Sequence, residues 1–128
     1  MASTHNNIGS RRLVVGAHYG VKDFIAQRVT AVILVVYTVI MAIMCLLTPS
    51  FTYENWVNLF NFRWGGLPAG QLLATLAVLA TAYHAWIGVR DIWMDYVRPA
   101  GMRLLLQVLT ILWLLAAVVY AANILWSL

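Results

Sequence analysis

Residues 104–128 read LLLQVLTILWLLAAVVYAANILWSL, a stretch of 25 residues without a charged side chain. Two further charge-free stretches precede it, Val29–Ser50 and Trp64–Val89. A helix needs roughly 20 apolar residues to cross the hydrocarbon layer of a bilayer, and each stretch is long enough. Lipid permits only helices or closed barrels, and these stretches lack the alternating pattern of barrel strands. The sequence therefore predicts an all-α membrane protein with three transmembrane helices.

The composition of the whole chain supports this interpretation. Its 128 residues are 63% hydrophobic and 9% charged, whereas a soluble domain is usually about 25% charged. A chain of this size cannot bury so much apolar surface against itself in water. The composition excludes an ordinary soluble domain, a disordered chain and a fibrous repeat. We predict a polar tail over residues 1–20 and one membrane domain over residues 21–128, with helices near 24–48, 67–97 and 101–127.

The basic residues predict how the helices are oriented. A pI of about 9.6 could suggest nucleic-acid binding, but the eight Lys and Arg residues flank the apolar stretches instead of clustering on one surface. Only Arg63 falls on one side of the predicted membrane. Seven fall on the other: Arg11, Arg12, Lys22, Arg28, Arg90, Arg98 and Arg103. The positive-inside rule places the N-terminus in the cytoplasm, or in the matrix of a mitochondrion, and the C-terminus on the opposite side.

The two connections between the predicted helices differ in character. In Ser50–Gly66 several large apolar residues recur at helical spacing, with Glu and Asn residues between them: Tyr53, Trp56, Val57, Phe60 and Trp64. This pattern is typical of a short amphipathic helix in the headgroup zone. The second connection, Arg98–Gly101, contains a Pro and a Gly and predicts a tight turn between two antiparallel helices. The single cysteine, Cys45, excludes a disulfide framework or a cysteine-based metal site within the chain.

The second long stretch contains the candidate functional residues. His84 lies deep within it, and Asp91 and Asp95 follow at seven and eleven residues, which returns them to nearly the same helix face. Gly88 lies near that face and leaves room for a flat ligand or a close helix. His84 could be an axial haem ligand. A histidine hydrogen-bonded across a helix pair explains the same pattern, and from spacing alone it is the more common case.

The neighbouring polar residues allow two interpretations as well. Asp95 and Tyr96 could bind a polar headgroup such as a quinone carbonyl, or Tyr96 could be an interfacial anchor with Asp95 paired to a nearby arginine. Arg28 could bind a haem propionate or act only as a positive anchor. Asp23 is a candidate helix-start residue. A proton-coupled transporter is a further alternative, but its acid would lie nearer the bilayer midplane, usually within internal repeats.

Several stretches resemble the hydrophobic membrane anchor subunits of bacterial succinate dehydrogenases. That family has a histidine followed eleven and twelve residues later by an Asp-Tyr pair, as in His84–Gly88 and Asp95–Pro99 here. Three shorter stretches also resemble the family: Asp23–Arg28, Thr52–Trp56 and Arg103–Gln107. The resemblance covers most of the chain from Gly20 onward. Lys22 departs from it, because some relatives carry a histidine at this position.

The resemblance implies a role for each matching residue. His84 would bind the iron of haem b, with the second ligand from a cytochrome b subunit, and this chain would form half of the haem-binding bundle. Arg28 would lie near the haem propionates or the quinone pocket. Tyr96 would donate a hydrogen bond to ubiquinone, with Asp95 beside it. The partners would be the cytochrome b, iron–sulfur and flavoprotein subunits and membrane lipids, without nucleic acid.

The same resemblance implies a location and a reaction. The chain would span the bacterial inner membrane with a cytoplasmic N-terminus and a periplasmic C-terminus. It would take part in electron transfer from succinate to quinone only as a subunit, since the isolated chain carries no catalytic residue. An anchor of a fumarate reductase and a haem-free structural anchor stay open as alternatives.

Overall fold

The computed structural model of the protein describes residues 17–128, and this part of the chain is helical throughout apart from its connections. It contains four helices, α1 Ala17–Leu47, α2 Tyr53–Asn61, α3 Ala69–Tyr96 and α4 Ala100–Ser127. Helices α1, α3 and α4 are long and apolar enough to cross a membrane, which confirms the predicted fold class. At 1.5 Å per residue they are about 42 to 46 Å long, so each exceeds the hydrocarbon layer.

Helix α1 begins earlier than the sequence predicts. Its first residue is Ala17, whereas the apolar pattern placed the start near residue 24 and assigned residues 1–20 to a tail. The helix therefore includes residues 17–20 of the predicted tail, since hydrophobicity marks where the chain enters the bilayer and a helix can continue beyond it through polar residues. The remainder of the predicted tail, residues 1–16, lies outside the described residues.

Helix α3 is central to the packing, since each of the other three helices contacts it. Its buried residues recur every three, four or seven positions and so form one stripe: Gly70, Ala74, Ala77, Ala80 and Ile87. Most of them are small, which lets neighbouring backbones approach closely. At Gly70 the approach is tightest, because an added Cβ would lie 2.3 Å from the backbone oxygen of Phe60. The outer faces of all three long helices stay apolar and exposed, as expected for surfaces that meet lipid or another subunit.

The predicted amphipathic helix in the first connection is present as α2. Thr52 caps it, accepting a hydrogen bond from the backbone N–H of Asn55 at 3.3 Å. The helix ends at Asn61, so the prediction was wrong for Trp64, which instead forms a tight turn closed by reciprocal backbone hydrogen bonds to Leu67 at 3.0 Å. Gly65 has a φ of 58° in this turn, a conformation that glycine adopts without strain.

The second connection is as short as predicted. Only residues 97–99 separate α3 from α4, and Pro99 directly precedes α4, where a missing N–H leaves no hydrogen bond unmade. Two hydrogen bonds from indole nitrogens fasten the resulting hairpin. Trp93 Nε1 donates to Thr110 Oγ1 at 3.1 Å, and Trp126 Nε1 donates to Thr75 Oγ1 at 3.2 Å. Because these contacts lie near opposite ends of the hairpin, they hold α3 and α4 side by side along their length.

Candidate functional site

His84 lies where α3 crosses α1, and both of its ring nitrogens are near polar atoms of α1. Nδ1 is 2.9 Å from Thr30 Oγ1. Nε2 is 3.3 Å from the amide nitrogen of Gln27. Thr30 and Gln27 are three residues apart and therefore share a face of α1. The imidazole thus lies within the membrane-spanning part of the protein with a polar neighbour on each side.

Thr30 is the most buried polar residue of this contact, with 8% of its surface exposed. Its hydroxyl lies 2.8 Å from the carbonyl oxygen of Ala26, one helical turn earlier, and 3.1 Å from that of Gln27. A helical threonine often donates its hydroxyl hydrogen to such a carbonyl. Thr30 therefore joins the backbone of α1 to the imidazole of α3.

Gln27 is less completely satisfied than Thr30. Its side-chain oxygen is buried and has no hydrogen-bond partner among residues 17–128. Its amide nitrogen lies 4.0 Å from the position that a Cβ would occupy at Gly88. The sequence suggested that Gly88 leaves room beside His84 for a ligand or a close helix. In the structure the flexible side chain of Gln27 lies there.

A second contact joins the same two helices nearer the end of α3. Arg90 of α3 forms an ion pair with Asp23 of α1, and the two side chains are 26% and 29% exposed. Arg90 also contacts its neighbour Asp91 at 3.2 Å, but Asp91 is 57% exposed. The sequence suggested Asp23 as a helix-start residue, but α1 begins six residues earlier. Its carboxylate instead fixes the register of α1 against α3.

The other predicted site residues do not contact His84. Arg28 is exposed, and its guanidinium lies 4.5 Å from the ring centre of Phe24. It is two residues from Thr30 and so lies at nearly the same depth as the imidazole. Asp95 and Tyr96 are exposed at the last turn of α3, with Tyr96 82% exposed. Within the described part of the chain, no ion pair joins Asp95 to an arginine.

The predicted stripe on α3 is therefore only partly formed. His84 and Gly88 face Gln27 of α1, whereas Asp91 turns to Arg90 and Asp95 is exposed. A helix of 3.6 residues per turn drifts by about 20° over seven residues, and the exposed end of α3 offers no neighbour that would hold the acids on the His84 face.

Two clefts lie beside this contact. One, of about 630 Å³, is near the start of α1 and is lined by polar and charged residues together with two others: Lys22, Asp23, Tyr83, Arg90, Met94, Arg103 and Gln107. The other, of about 610 Å³, is mostly apolar and lies among α1, α3 and α4. Neither contains His84, Arg28, Asp95 or Tyr96. These two clefts therefore do not bring the predicted residues together.

Comparison with known proteins identifies the family. Residues 3–118 match the family described as "Succinate dehydrogenase/Fumarate reductase transmembrane subunit". This chain belongs to that family. It is also similar to a succinate dehydrogenase hydrophobic membrane anchor subunit from Coxiella burnetii (strain RSA 493 / Nine Mile phase I), with 30% identity over 107 residues. The similarity covers 84% of this chain and 89% of the relative. Membership of the family confirms the resemblance carried by the residues around His84 and Tyr96.

The geometry around His84 suits a transmembrane subunit that binds haem. An axial imidazole needs one nitrogen free for iron, while its other N–H is held by an acceptor. The Thr30 oxygen lies 2.9 Å from Nδ1 and can serve as such an acceptor, and among the described residues the polar atom near Nε2 belongs to the flexible amide of Gln27. The side-chain oxygen of Gln27 has no hydrogen-bond partner among residues 17–128 that would hold this amide in place. The residues present therefore fit the group.

Sequence reasoning missed the partners of His84. Gln27 and Thr30 lie on either side of Arg28, at the edge of an apolar stretch, and neither forms a motif with His84. Thr30 and His84 are 54 positions apart, with a complete transmembrane crossing between them, so only the register of α1 against α3 brings them together. The ion pair of Asp23 with Arg90 was missed for the same reason. A polar residue within an apolar stretch was the available signal.

Asp23→Asn should destabilise the protein by about 1 to 3 kcal/mol, between the values typical of exposed and buried ion pairs. The substitution removes the charge opposite a guanidinium that is only 26% exposed. Asp91→Asn is the matched control, because it removes a more exposed carboxylate from the same arginine. Thermal unfolding in detergent measures both. An equal loss of stability in the two variants would contradict the role given to the interhelical pair.

Proposed function

We propose that this chain is the hydrophobic membrane anchor subunit of a succinate dehydrogenase, with His84 as one axial ligand of haem b. The observation that carries the proposal is the position of His84 in a chain of this family. Its imidazole lies within the spans, with Nδ1 beside a hydroxyl oxygen and, among residues 17–128, an amide nitrogen and no acceptor beside Nε2. Similarity to the succinate dehydrogenase anchor subunit of Coxiella burnetii supports the direction from succinate to quinone.

The second axial ligand would come from another membrane subunit, a cytochrome b. The two other histidines of the chain, His5 and His18, precede the apolar stretch of α1. A haem held by two histidines at the depth of His84 therefore needs a second chain. Haem supplies one-electron chemistry when bound. This chain would supply the ligand nitrogen, the hydroxyl that holds the ring and the apolar surface around it.

Arg28 would act on the same group from the side of the membrane where α1 begins. Its guanidinium is exposed, and the ring of Phe24 supports it on one face. Arginine binds carboxylates through paired hydrogen bonds, so a haem propionate is a suitable partner for it. Two residues separate Arg28 from Thr30, so the cation and the imidazole lie at similar depths.

Tyr96 and Asp95 would form one wall of a ubiquinone site. A tyrosine hydroxyl can donate a hydrogen bond to a quinone carbonyl, and a neighbouring carboxylate can orient that donor or accept a proton. Both residues are exposed at the end of α3. An iron–sulfur subunit docked at this end of the membrane domain would cover them and bring electrons to the bound quinone. The flavoprotein subunit would oxidise succinate.

In this assignment the chain has no catalytic activity in isolation. Tyr96 is 82% exposed, so a quinone site built on it is open until other subunits close it. The distribution of Lys and Arg supports a cytoplasmic N-terminus and a periplasmic C-terminus in a bacterial inner membrane. The docking end of the protein would then face the cytoplasm, where succinate is available.

His84→Ala should remove or shift the absorbance of haem b. The protein is purified in mild detergent through a tag on this chain, and the dithionite-reduced minus oxidised spectrum is recorded. We expect a b-type α-band in the wild type, together with copurified flavoprotein and iron–sulfur subunits. Tyr83→Ala is the control, because it removes a ring from the adjacent, half-exposed position of α3 and should keep the band.

Two results would count against the proposal. A wild-type preparation without haem and without the soluble subunits would contradict the assignment as a succinate dehydrogenase anchor. A His84→Ala variant with an unchanged band would show that the ligand lies elsewhere and that His84 only packs against α1.

Tyr96→Phe should lower the rate of ubiquinone reduction by about 3- to 10-fold, the value of one hydrogen bond. Succinate oxidation with a soluble artificial acceptor should not change, since that reaction bypasses the quinone site. Tyr53→Phe is the matched control, because Tyr53 is also highly exposed but begins α2 at the opposite membrane surface. Equal effects of the two substitutions on quinone reduction would remove Tyr96 from the site.

A further inference from the structure

We infer that Thr30 is a positioning residue for His84, which fixes the imidazole as the tautomer that carries its hydrogen on Nδ1. Nε2 then keeps the lone pair that binds iron. The inference rests on the proposed role of His84 as a haem ligand and assigns a function to a residue outside the motif. It follows from the hydrogen bonds that Thr30 forms with both helices.

The hydroxyl group of Thr30 has a single hydrogen to donate. It is directed to the backbone, because Ala26 O lies at 2.8 Å and Gln27 O at 3.1 Å. Other helical threonines of the protein behave in the same way, each donating to the carbonyl four residues earlier at 2.7 or 2.8 Å: Thr75, Thr81 and Thr110. With its hydrogen so placed, the Thr30 oxygen can only accept from His84 Nδ1.

The other ring nitrogen of His84, Nε2, has an amide nitrogen as its polar neighbour. A neutral imidazole has one N–H, so a hydrogen on Nδ1 leaves a lone pair on Nε2. The polar atom near Nε2 is the amide nitrogen of Gln27, a donor, at 3.3 Å. Donor and lone pair match, and the Gln27 oxygen stays without a partner on the far side of the amide. A hydrogen on Nδ1 therefore satisfies both contacts of the ring.

The Thr30 oxygen is held firmly at its position beside Nδ1. Thr30 is buried, and its branched side chain has few rotamers available in a helix. Because Thr30 is only 8% exposed, water has little access to the position of its hydroxyl, and an Nδ1–H without Thr30 would lose its hydrogen bond. An acceptor at Nδ1 also makes the imidazole a stronger donor to iron and favours the oxidised metal. Thr30 should thus lower the midpoint potential of the haem and slow its loss.

The test uses Thr30→Val in the complete complex, because valine keeps the shape of threonine and removes the oxygen. Redox titration of the haem spectrum gives the midpoint potential, and incubation with excess apomyoglobin measures haem loss. We expect a higher potential and haem binding weakened by about 10- to 100-fold, as is typical when the partner of a metal-binding histidine is removed. Thr30→Ser restores the oxygen and should return both values toward those of the wild type.

Thr81→Val is the matched control. Thr81 also donates to the carbonyl four residues earlier, at 2.8 Å, but has no hydrogen bond to a ring. It should leave the potential and haem loss unchanged. Wild-type values in Thr30→Val would overturn the inference, and so would equal shifts in Thr30→Val and Thr30→Ser, since the methyl group or the packing would then be responsible.

The results also separate this inference from the proposed function. If His84→Ala retains the wild-type α-band, His84 is not a ligand and both assignments fail. If His84→Ala loses the band while Thr30→Val keeps the wild-type potential and haem retention, the ligand assignment stands and the role of Thr30 is overturned.

Discussion

The hydrocarbon layer offers no hydrogen-bond partner, and the polar side chains of the three long helices are arranged around that constraint. They meet one another between helices instead. His84 meets Thr30, and Arg90 pairs with Asp23, so α1 is held against α3 at two levels. On the other side of α3, two indole N–H groups donate to threonine hydroxyls across the hairpin with α4. These few polar contacts fix the register of helices whose apolar surfaces alone would allow sliding.

The position of the functional residues follows from that register. Asp23 precedes Thr30 by seven residues in α1, and Arg90 follows His84 by six residues in α3. Two turns of antiparallel helices therefore separate His84, the proposed haem ligand, from the ion pair. The same segment of α3 carries the imidazole inside the membrane domain and the exposed Tyr96 at its edge. In the proposed function, one helix therefore contributes both to the haem site and to the quinone site.

The sequence predicts the number of long helices, their approximate ends and the hairpin. This is because a segment that crosses the bilayer must be long and apolar, and such segments are visible in the sequence. It also shows that His84 is unusual, and the spacing from His84 to Tyr96 indicates the family. It does not reveal Thr30, Gln27 or the pairing of Asp23, because these depend on the register between α1 and α3. The early start of α1 at Ala17 was missed because hydrophobicity marks the membrane boundary and not the helix boundary.

The central claim is that Nε2 of His84 is a ligand of haem iron, and His84→Met tests it most directly by supplying a different ligand atom at the same place. In the purified complex, redox titration and near-infrared spectroscopy of the haem compare this variant with the wild type. If Nε2 of His84 binds the iron, the variant has a higher midpoint potential and the spectrum of mixed methionine–histidine ligation, since a thioether stabilises the reduced iron. An unchanged potential with the spectrum of two histidine ligands would contradict it.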